Sequence, residues 1–113
     1  MPQPKVSVLI PFKNTAAYLP ECIDSILEQT FPHWEAFLVD DNSTDNSAKI
    51  VQDYAKNDSR IYYLKNKGSG IIAALRTAYA HCDGNMITRM DSDDIMMPQK
   101  LEAMHSNLKT YGK

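Results

Sequence analysis

The stretch Val6-Ser7-Val8-Leu9-Ile10 is an apolar, largely β-branched run that stops at Pro11. Such a run is typical of a strand that is buried on both faces of a parallel sheet. Three later runs have a similar character and end at polar residues: Glu35 to Val39, Ile61 to Leu64 and Met86 to Met90. We therefore predict four strands that belong to one sheet.

Apolar residues at helical spacing separate and follow these strands. The set before the second strand is Leu19, Cys22, Ile23, Ile26 and Leu27, and the last set is Leu101, Met104, Leu108 and Tyr111. Regular alternation of strand and helix predicts an α/β fold, with a mainly parallel sheet and helices on both of its faces. The length suits a single domain over residues 1–113.

Short polar residues predict where the helices begin. Asn14 or Thr15 is expected to cap the first helix, and Ser43 or Thr44 the second, because their side chains can accept a hydrogen bond from a free N–H of the first turn. Pro98 is expected to open the last helix.

The charge pattern excludes one class of partner. The net charge is −2, and the Lys and Arg residues are scattered, whereas a nucleic-acid interface needs a basic stripe. Cys22 and Cys82 match no metal or redox spacing and are predicted to be buried free thiols. We also find no apolar segment long enough to cross a membrane and no apparent signal peptide. Together with the free thiols, these features lead us to expect a cytoplasmic location.

Polar clusters follow all four predicted strands. The carboxyl ends of parallel strands meet at one edge of a sheet, which is where ligands bind in open α/β folds. The clusters are Pro11-Phe12-Lys13-Asn14, Asp40-Asp41, Asn66-Lys67-Gly68 and Asp91-Ser92-Asp93-Asp94. We therefore expect the functional site at this edge.

Asp91 and Asp93 are the candidate metal ligands. Residues two apart in an extended segment project to the same side, so both carboxylates can converge on one cation. Hard oxygen ligands favour Mn²⁺ or Mg²⁺. The structural alternative is that Asp93 or Asp94 caps the last helix, and we expect that role for Asp94.

No glycine-rich phosphate loop follows the first strand, and Gly68 and Gly70 read only as a flexible loop. A bound diphosphate would therefore need a metal to neutralise it. Asp41, just past the second strand, is suited either to accept the N–H of a nucleobase or to cap the next helix, and the sequence leaves both roles open.

Four blocks of sequence together resemble a known family. Residues Val6 to Asn14, Ser25-Ile26-Leu27-Glu28-Gln29-Thr30 and Val39 to Asp45 are similar to the opening of a family 2 glycosyltransferase. Ile87 to Asp94, followed by Pro98 and Leu101, is similar to its metal-binding segment. The resemblance implies a Rossmann-like GT-A fold that binds a nucleoside-diphosphate sugar, most often a UDP-sugar, with Mn²⁺ or Mg²⁺.

The resemblance also implies roles for individual residues. Asp41 would hydrogen-bond the base, Asp91 would lie near the ribose and the metal, and Asp93 would ligate the metal. The further donor contacts it implies are Pro11, Phe12, Lys13, Asn14, Gly70 and Ser92. One departure is Leu75-Arg76-Thr77-Ala78, which stands where many relatives have an Asn and a Gly, so this helix adds no support for donor contacts.

Members of the family usually transfer the sugar with inversion to a hydroxyl group, here of a saccharide or lipid-linked acceptor. Their catalytic base lies after the metal-binding segment, so we expect it beyond residue 113. We therefore expect a truncated, N-terminal donor-binding portion that is inactive alone, from a protein that is cytoplasmic or peripheral at the inner face of the membrane. An exposed sheet edge would then favour self-association.

Two other classes of function use similar carboxylates. A receiver-like signalling module also gathers acidic residues around Mg²⁺, but it needs a phosphoacceptor Asp at a middle strand end, and the third strand ends at Asn66 instead. A sugar-phosphate hydrolase or nucleotidyltransferase would differ in releasing its product without an acceptor.

Overall fold

The expected alternation of strand and helix is confirmed in a computed structural model, which describes residues 5–111 and the side chains as far as Ser106. The elements are β1 (Val6–Phe12), α1 (Leu19–Leu27), β2 (Trp34–Asp40), α2 (Ser47–Asn57), β3 (Ile61–Lys65), α3 (Gly70–Tyr79), β4 (Met86–Arg89) and α4 (Lys100–Tyr111). The side chains of Leu108 and Tyr111, predicted on one side of α4, lie outside the described residues. Among the helices of residues 5–111, none combines the length and apolar character needed to cross a membrane.

The four strands form one parallel sheet in the order β3-β2-β1-β4. The chain moves outward from β1 through β2 to β3, and then returns to place β4 on the other side of β1. This reversal creates a crevice outside the carboxyl ends of β1 and β4, where ligands of open α/β sheets bind. The topology therefore brings the end of β4 beside the end of β1.

Side chains of β1 alternate between two apolar cores, one on each face of the sheet. Val8 and Ile10 are fully buried in a cluster that includes side chains from α1, α2 and α4. Leu9 faces the other way and packs in a second cluster with Ala74 and Ala78 of α3. The expected helices on both faces are thus present.

The amino end of the sheet is held by a buried carboxylate. Glu35 accepts hydrogen bonds from Ser7 Oγ at 2.6 Å and from the Asp83 backbone N–H at 2.7 Å. Gly84 packs tightly beside them, and a β-carbon there would meet Ser7 Oγ and would lie 2.8 Å from the Lys5 carbonyl oxygen. This contact fixes where β4 begins. Because β4 has only four residues, the contact also fixes the position of the aspartates that follow the strand.

The residues that were predicted to cap α1 and α2 do not cap these helices. The residue that precedes α1 is Tyr18, and the residue that precedes α2 is Asn46. Asn14 instead accepts a hydrogen bond from the Thr44 N–H at 2.7 Å, and its own N–H donates to Ser43 Oγ at 3.0 Å. The polar side chains bind across the two loops because parallel neighbouring strands bring those loops together.

The last helix also begins later than predicted. α4 starts at Lys100, two residues after Pro98 and six after Asp94. Asp94 is therefore too far from the first turn of α4 to cap it, and its role as a helix cap is corrected.

Candidate functional site

A pocket of about 200 Å³ lies at the carboxyl edge of the sheet, beside the ends of β1 and β2. Its lining brings together five of the residues predicted to contact a donor: Pro11, Phe12, Lys13, Asp41 and Ser92. Thr15 and Ile71 complete the lining, and neither was predicted to contact a donor. Residues from four separate segments thus converge on one small cavity.

Asp91 lies outside this lining, as do the predicted contacts Asn14 and Gly70. Asn14 has a left-handed backbone, with φ of 53°, and its carboxamide oxygen is engaged with the loop after β2. Gly70 begins α3 with φ of +87°, a conformation that favours glycine, and its N–H donates to Asp41 Oδ1 at 3.1 Å. Donor contact by these two residues stays a prediction.

Three carboxylates collect directly after β4. Asp91, Asp93 and Asp94 are all exposed, and each has an oxygen within 4.8 Å of an oxygen of the other two. Three negative charges this close repel one another unless a cation or proton lies between them. Because Ser92 lines the pocket and lies between Asp91 and Asp93 in the chain, the acidic cluster adjoins the pocket.

The cluster fits a hard divalent cation by its chemistry, since it offers only carboxylate oxygens. Asp91 is paired with Arg89 at 3.3 Å, but both side chains are about half exposed, so the pair is weak and can yield to a cation. Asp94, which was predicted to cap the last helix and not to ligate a metal, offers a carboxylate to the same cluster.

The acidic segment is held in place from behind by α1 and the residues just after it. Ser25 Oγ accepts a hydrogen bond from the Met96 N–H at 2.9 Å. The Gln29 carboxamide donates to the Met97 carbonyl at 2.7 Å and accepts from the Leu101 N–H at 3.1 Å. Thr30 donates its N–H to the Pro98 carbonyl at 3.0 Å. The Ser25 to Thr30 block therefore has a physical role, which is to fix the segment that follows the aspartates.

The two aspartates that follow each other at the end of β2 have different environments. Asp40 is buried and accepts hydrogen bonds from the Ser43 N–H at 2.8 Å and the Tyr63 hydroxyl at 2.9 Å. Burial, then the hydrogen bond to Asp40 and the charge of that carboxylate, raises the pKa of Tyr63 to about 12. Asp41 is half-buried and lines the pocket.

Asp41 does not cap α2, which was one of its two expected roles. Its Oδ1 accepts from Asn66 Nδ2 at 3.0 Å and from the Gly70 N–H at 3.1 Å, with a longer contact from Asn42 at 3.4 Å. Asn66 was predicted at this edge only as a member of the Asn66-Lys67-Gly68 cluster, without a role of its own. Its position at the end of β3, on the same edge as the other clusters, was the available signal for a role at the site.

Comparison with known proteins assigns the chain to a family. Residues 7–113 match the family described as "Glycosyl transferase family 2". The chain is 35% identical over 107 residues to the glycosyltransferase GlyA of Streptococcus pneumoniae, which is 95% of this chain and 15% of GlyA.

Solved structures agree with that assignment. TarS from S. aureus in complex with UDP-GlcNAc has a TM-score of 0.88 and 26% identity, over 96% of this chain and 32% of the TarS chain. The mannosyltransferase PcManGT from Pyrobaculum calidifontis, in complex with GDP-Man and Mn²⁺, has a TM-score of 0.75 and 30% identity, over 82% and 28% of the two chains. The chain thus spans a third or less of the length of these three relatives.

These likenesses confirm the expected GT-A type fold and argue against the receiver-like alternative. A match over residues 7–113 includes both the pocket and the acidic cluster. The chain belongs to glycosyl transferase family 2.

Proposed function

We propose that this chain binds the nucleoside-diphosphate part of a nucleotide sugar, and that it does so as the donor-binding region of a glycosyltransferase. The observation that carries the proposal is the contiguity of the pocket at the ends of β1 and β2 with the cluster of Asp91, Asp93 and Asp94. The nucleoside-diphosphate part of a nucleotide sugar has a flat base at one end and a charged diphosphate at the other, which matches a small pocket beside a cation site.

The base is proposed to enter the pocket between Pro11, Phe12 and Ile71. Asp41 would accept a hydrogen bond from a ring N–H of the base, because a carboxylate can only accept. Uracil carries such an N–H, and a UDP-sugar is the proposed donor. The Thr15 hydroxyl at the pocket wall is buried and has no partner among residues 5–106, a state that often marks a missing ligand or water.

Asp91 and Asp93 are proposed to hold Mn²⁺ or Mg²⁺, with Asp94 as a third available carboxylate. When bound, such a cation offsets the charge of the diphosphate and stabilises it as a leaving group. Lys13, exposed at the pocket rim, would add positive charge near the same end of the ligand. Ser92 would contact the donor from between the two ligating aspartates.

The complete reaction is proposed to be transfer of a hexose, with inversion, to a hydroxyl of a saccharide or lipid-linked acceptor. A general base must then take the proton of that hydroxyl. None of the residues described here is assigned that role. A cytoplasmic site, at the inner face of a membrane, is proposed for a protein that builds cell-envelope polysaccharide.

Calorimetric titration of UDP into the chain tests the proposal. Binding is expected with Mn²⁺ or Mg²⁺, and it should disappear with EDTA and in Asp93→Ala. Asp53→Ala is the matched control, because Asp53 is an exposed aspartate on α2 that pairs with Lys49 at 3.5 Å. Equal UDP binding with and without metal, or an equal loss in both variants, would contradict the proposed site.

A further inference from the structure

Asn66, at the end of β3, is only 8% exposed, and both the nitrogen and the oxygen of its amide have hydrogen-bond partners. Its Nδ2 donates to Asp41 Oδ1 at 3.0 Å and to the Gly70 carbonyl at 3.2 Å. Its Oδ1 accepts from the Gly68 N–H at 3.0 Å and lies 3.5 Å from the Thr77 hydroxyl, whose proton is donated to the Ala73 carbonyl at 2.9 Å. Both Nδ2 partners are acceptors and Gly68 is a donor, so the partners themselves fix which way the amide faces.

This network directs every described hydrogen bond of the Asp41 carboxylate to a single oxygen. Asn66 donates to Oδ1 directly, and it also binds the carbonyl of Gly70, the residue whose N–H donates to Oδ1. The longer bond from Asn42 goes to Oδ1 as well. Within residues 5–106, Oδ2 accepts no hydrogen bond, so it is the oxygen that remains for a ligand.

We infer that Asn66 is a positioning residue for base selection, acting through Asp41, an inference that rests on the proposed function. With Oδ1 occupied, the carboxylate cannot rotate freely, and Oδ2 is presented as one acceptor in a fixed direction. Uracil offers an N–H at ring position 3, whereas cytosine has an unprotonated acceptor nitrogen there. A carboxylate held in this direction therefore binds uracil and repels cytosine, because in the complex with cytosine two acceptors would face each other.

A looser carboxylate discriminates less well. Without Asn66, Asp41 can turn so that either oxygen meets solvent, and the cost of placing it against cytosine falls. We expect the chain to bind UDP at least about tenfold more tightly than CDP, the ratio that follows from one hydrogen bond to a charged group. Asn66→Ala should reduce this ratio several-fold, mainly by weakening the binding of UDP.

The control must disturb the same loop and spare the donor to Asp41. Thr77→Val does this, because it removes the hydroxyl that contacts Asn66 Oδ1 and the Lys67 N–H and leaves Nδ2 intact. Its UDP:CDP ratio should equal that of the unmodified chain. Asn66→Asp serves as a second variant, since it keeps the side-chain size and the oxygen that accepts from Gly68. It replaces the donor with an acceptor, so its ratio should also fall.

The experiment is calorimetric titration of UDP and of CDP, each with Mn²⁺, into the unmodified chain and the three variants. A ratio that falls in Asn66→Ala and Asn66→Asp but holds in Thr77→Val supports the inference. Parallel losses for UDP and CDP in the Asn66 variants, at a constant ratio, would show a purely structural residue and overturn it while leaving the proposed function intact. An unmodified chain that binds neither nucleotide would overturn the proposed function and this inference together.

Discussion

The Tyr63 hydroxyl donates a hydrogen bond to Asp40 Oδ2 across 2.9 Å, from the middle of β3 to the end of β2. With the Ser43 N–H on Oδ1, this bond gives both oxygens of the buried Asp40 carboxylate a partner. Asp41, the next residue, keeps one oxygen available. Two adjacent aspartates thus divide into one that stabilises the edge of the sheet and one that faces the pocket.

Tyr63→Phe is expected to lower the free energy of unfolding by about 1–3 kcal/mol, because it leaves Asp40 Oδ2 buried without a donor. Urea denaturation followed by circular dichroism measures this change. Tyr62→Phe is the matched control, since Tyr62 is 43% exposed and its ring stacking on Phe37 survives the loss of the hydroxyl. Equal effects of the two substitutions would contradict the role given to Tyr63.

The fold could be predicted from the sequence because its signals are local. The apolar run from Val6 to Ile10 identifies a buried strand, and helical spacing identifies the elements between strands. The parallel connection then places all four strand ends on one edge, which is sufficient to predict that Asp41, Asp91 and Asp93 share a site.

The features of the site that were predicted wrongly or missed involve side chains whose hydrogen-bond partners are distant in the sequence. Asn14 bonds to a loop 30 residues away, so its preference for a cap position was satisfied elsewhere. The Gln29 carboxamide reaches carbonyl and N–H groups 68 and 72 residues away, and Asn66 reaches Asp41 across 25. Local residue propensities do not predict such hydrogen bonds, because the order of the strands in the sheet determines which residues meet.

Gln29→Ala is expected to destabilise the chain by about 1–3 kcal/mol and to weaken Mn²⁺ binding several-fold. The substitution removes the two bonds that hold the segment after the aspartates, so the carboxylates lose their fixed arrangement without any change of ligand. Thermal denaturation and Mn²⁺ titration measure the two effects. Gln52→Ala, at an exposed position on α2, should change neither. Unchanged Mn²⁺ affinity in Gln29→Ala would show that the segment keeps its geometry unaided.

Asp58 and Arg60 predict a pH dependence of stability. The hydrogen bond from the Arg60 guanidinium, at 2.8 Å, is the largest influence on Asp58 and lowers its pKa. A carboxyl whose folded pKa is lowered adds stability above its unfolded pKa, about 3.9. That contribution is lost as the pH falls through the lower folded value.

Asp58→Asn should therefore destabilise the chain at pH 7 by about 1 kcal/mol or less, since the pair is partly exposed. The difference from the unmodified chain should shrink steadily below pH 4. Urea midpoints collected between pH 2.5 and pH 7 check this trend. Asp53→Asn removes an exposed aspartate of α2 as the control. A difference for Asp58→Asn that persists at the lowest pH would show that its cause is not the charge.

The outer edge of β4 predicts self-association. β4 pairs with β1 on one side, and no other strand within residues 5–111 covers its second side. An apolar groove of about 430 Å³ runs between this strand and α3, with Ile87, Ile72 and Tyr79 exposed by 42%, 67% and 64%. Unpaired N–H and C=O groups beside an apolar groove favour pairing with a second copy, although the exposed Arg89 opposes it.

We expect the mass measured by light scattering to rise above that of a monomer as the concentration increases. Ile87→Lys should suppress the rise, because a second charge on a short edge strand is costly to bury against another chain. Ile95→Lys is the matched control, since Ile95 is 62% exposed but lies outside the groove. If Ile87→Lys and Ile95→Lys were equally effective, general surface hydrophobicity would explain association better than the strand edge. A monomeric mass at every concentration would remove the prediction altogether.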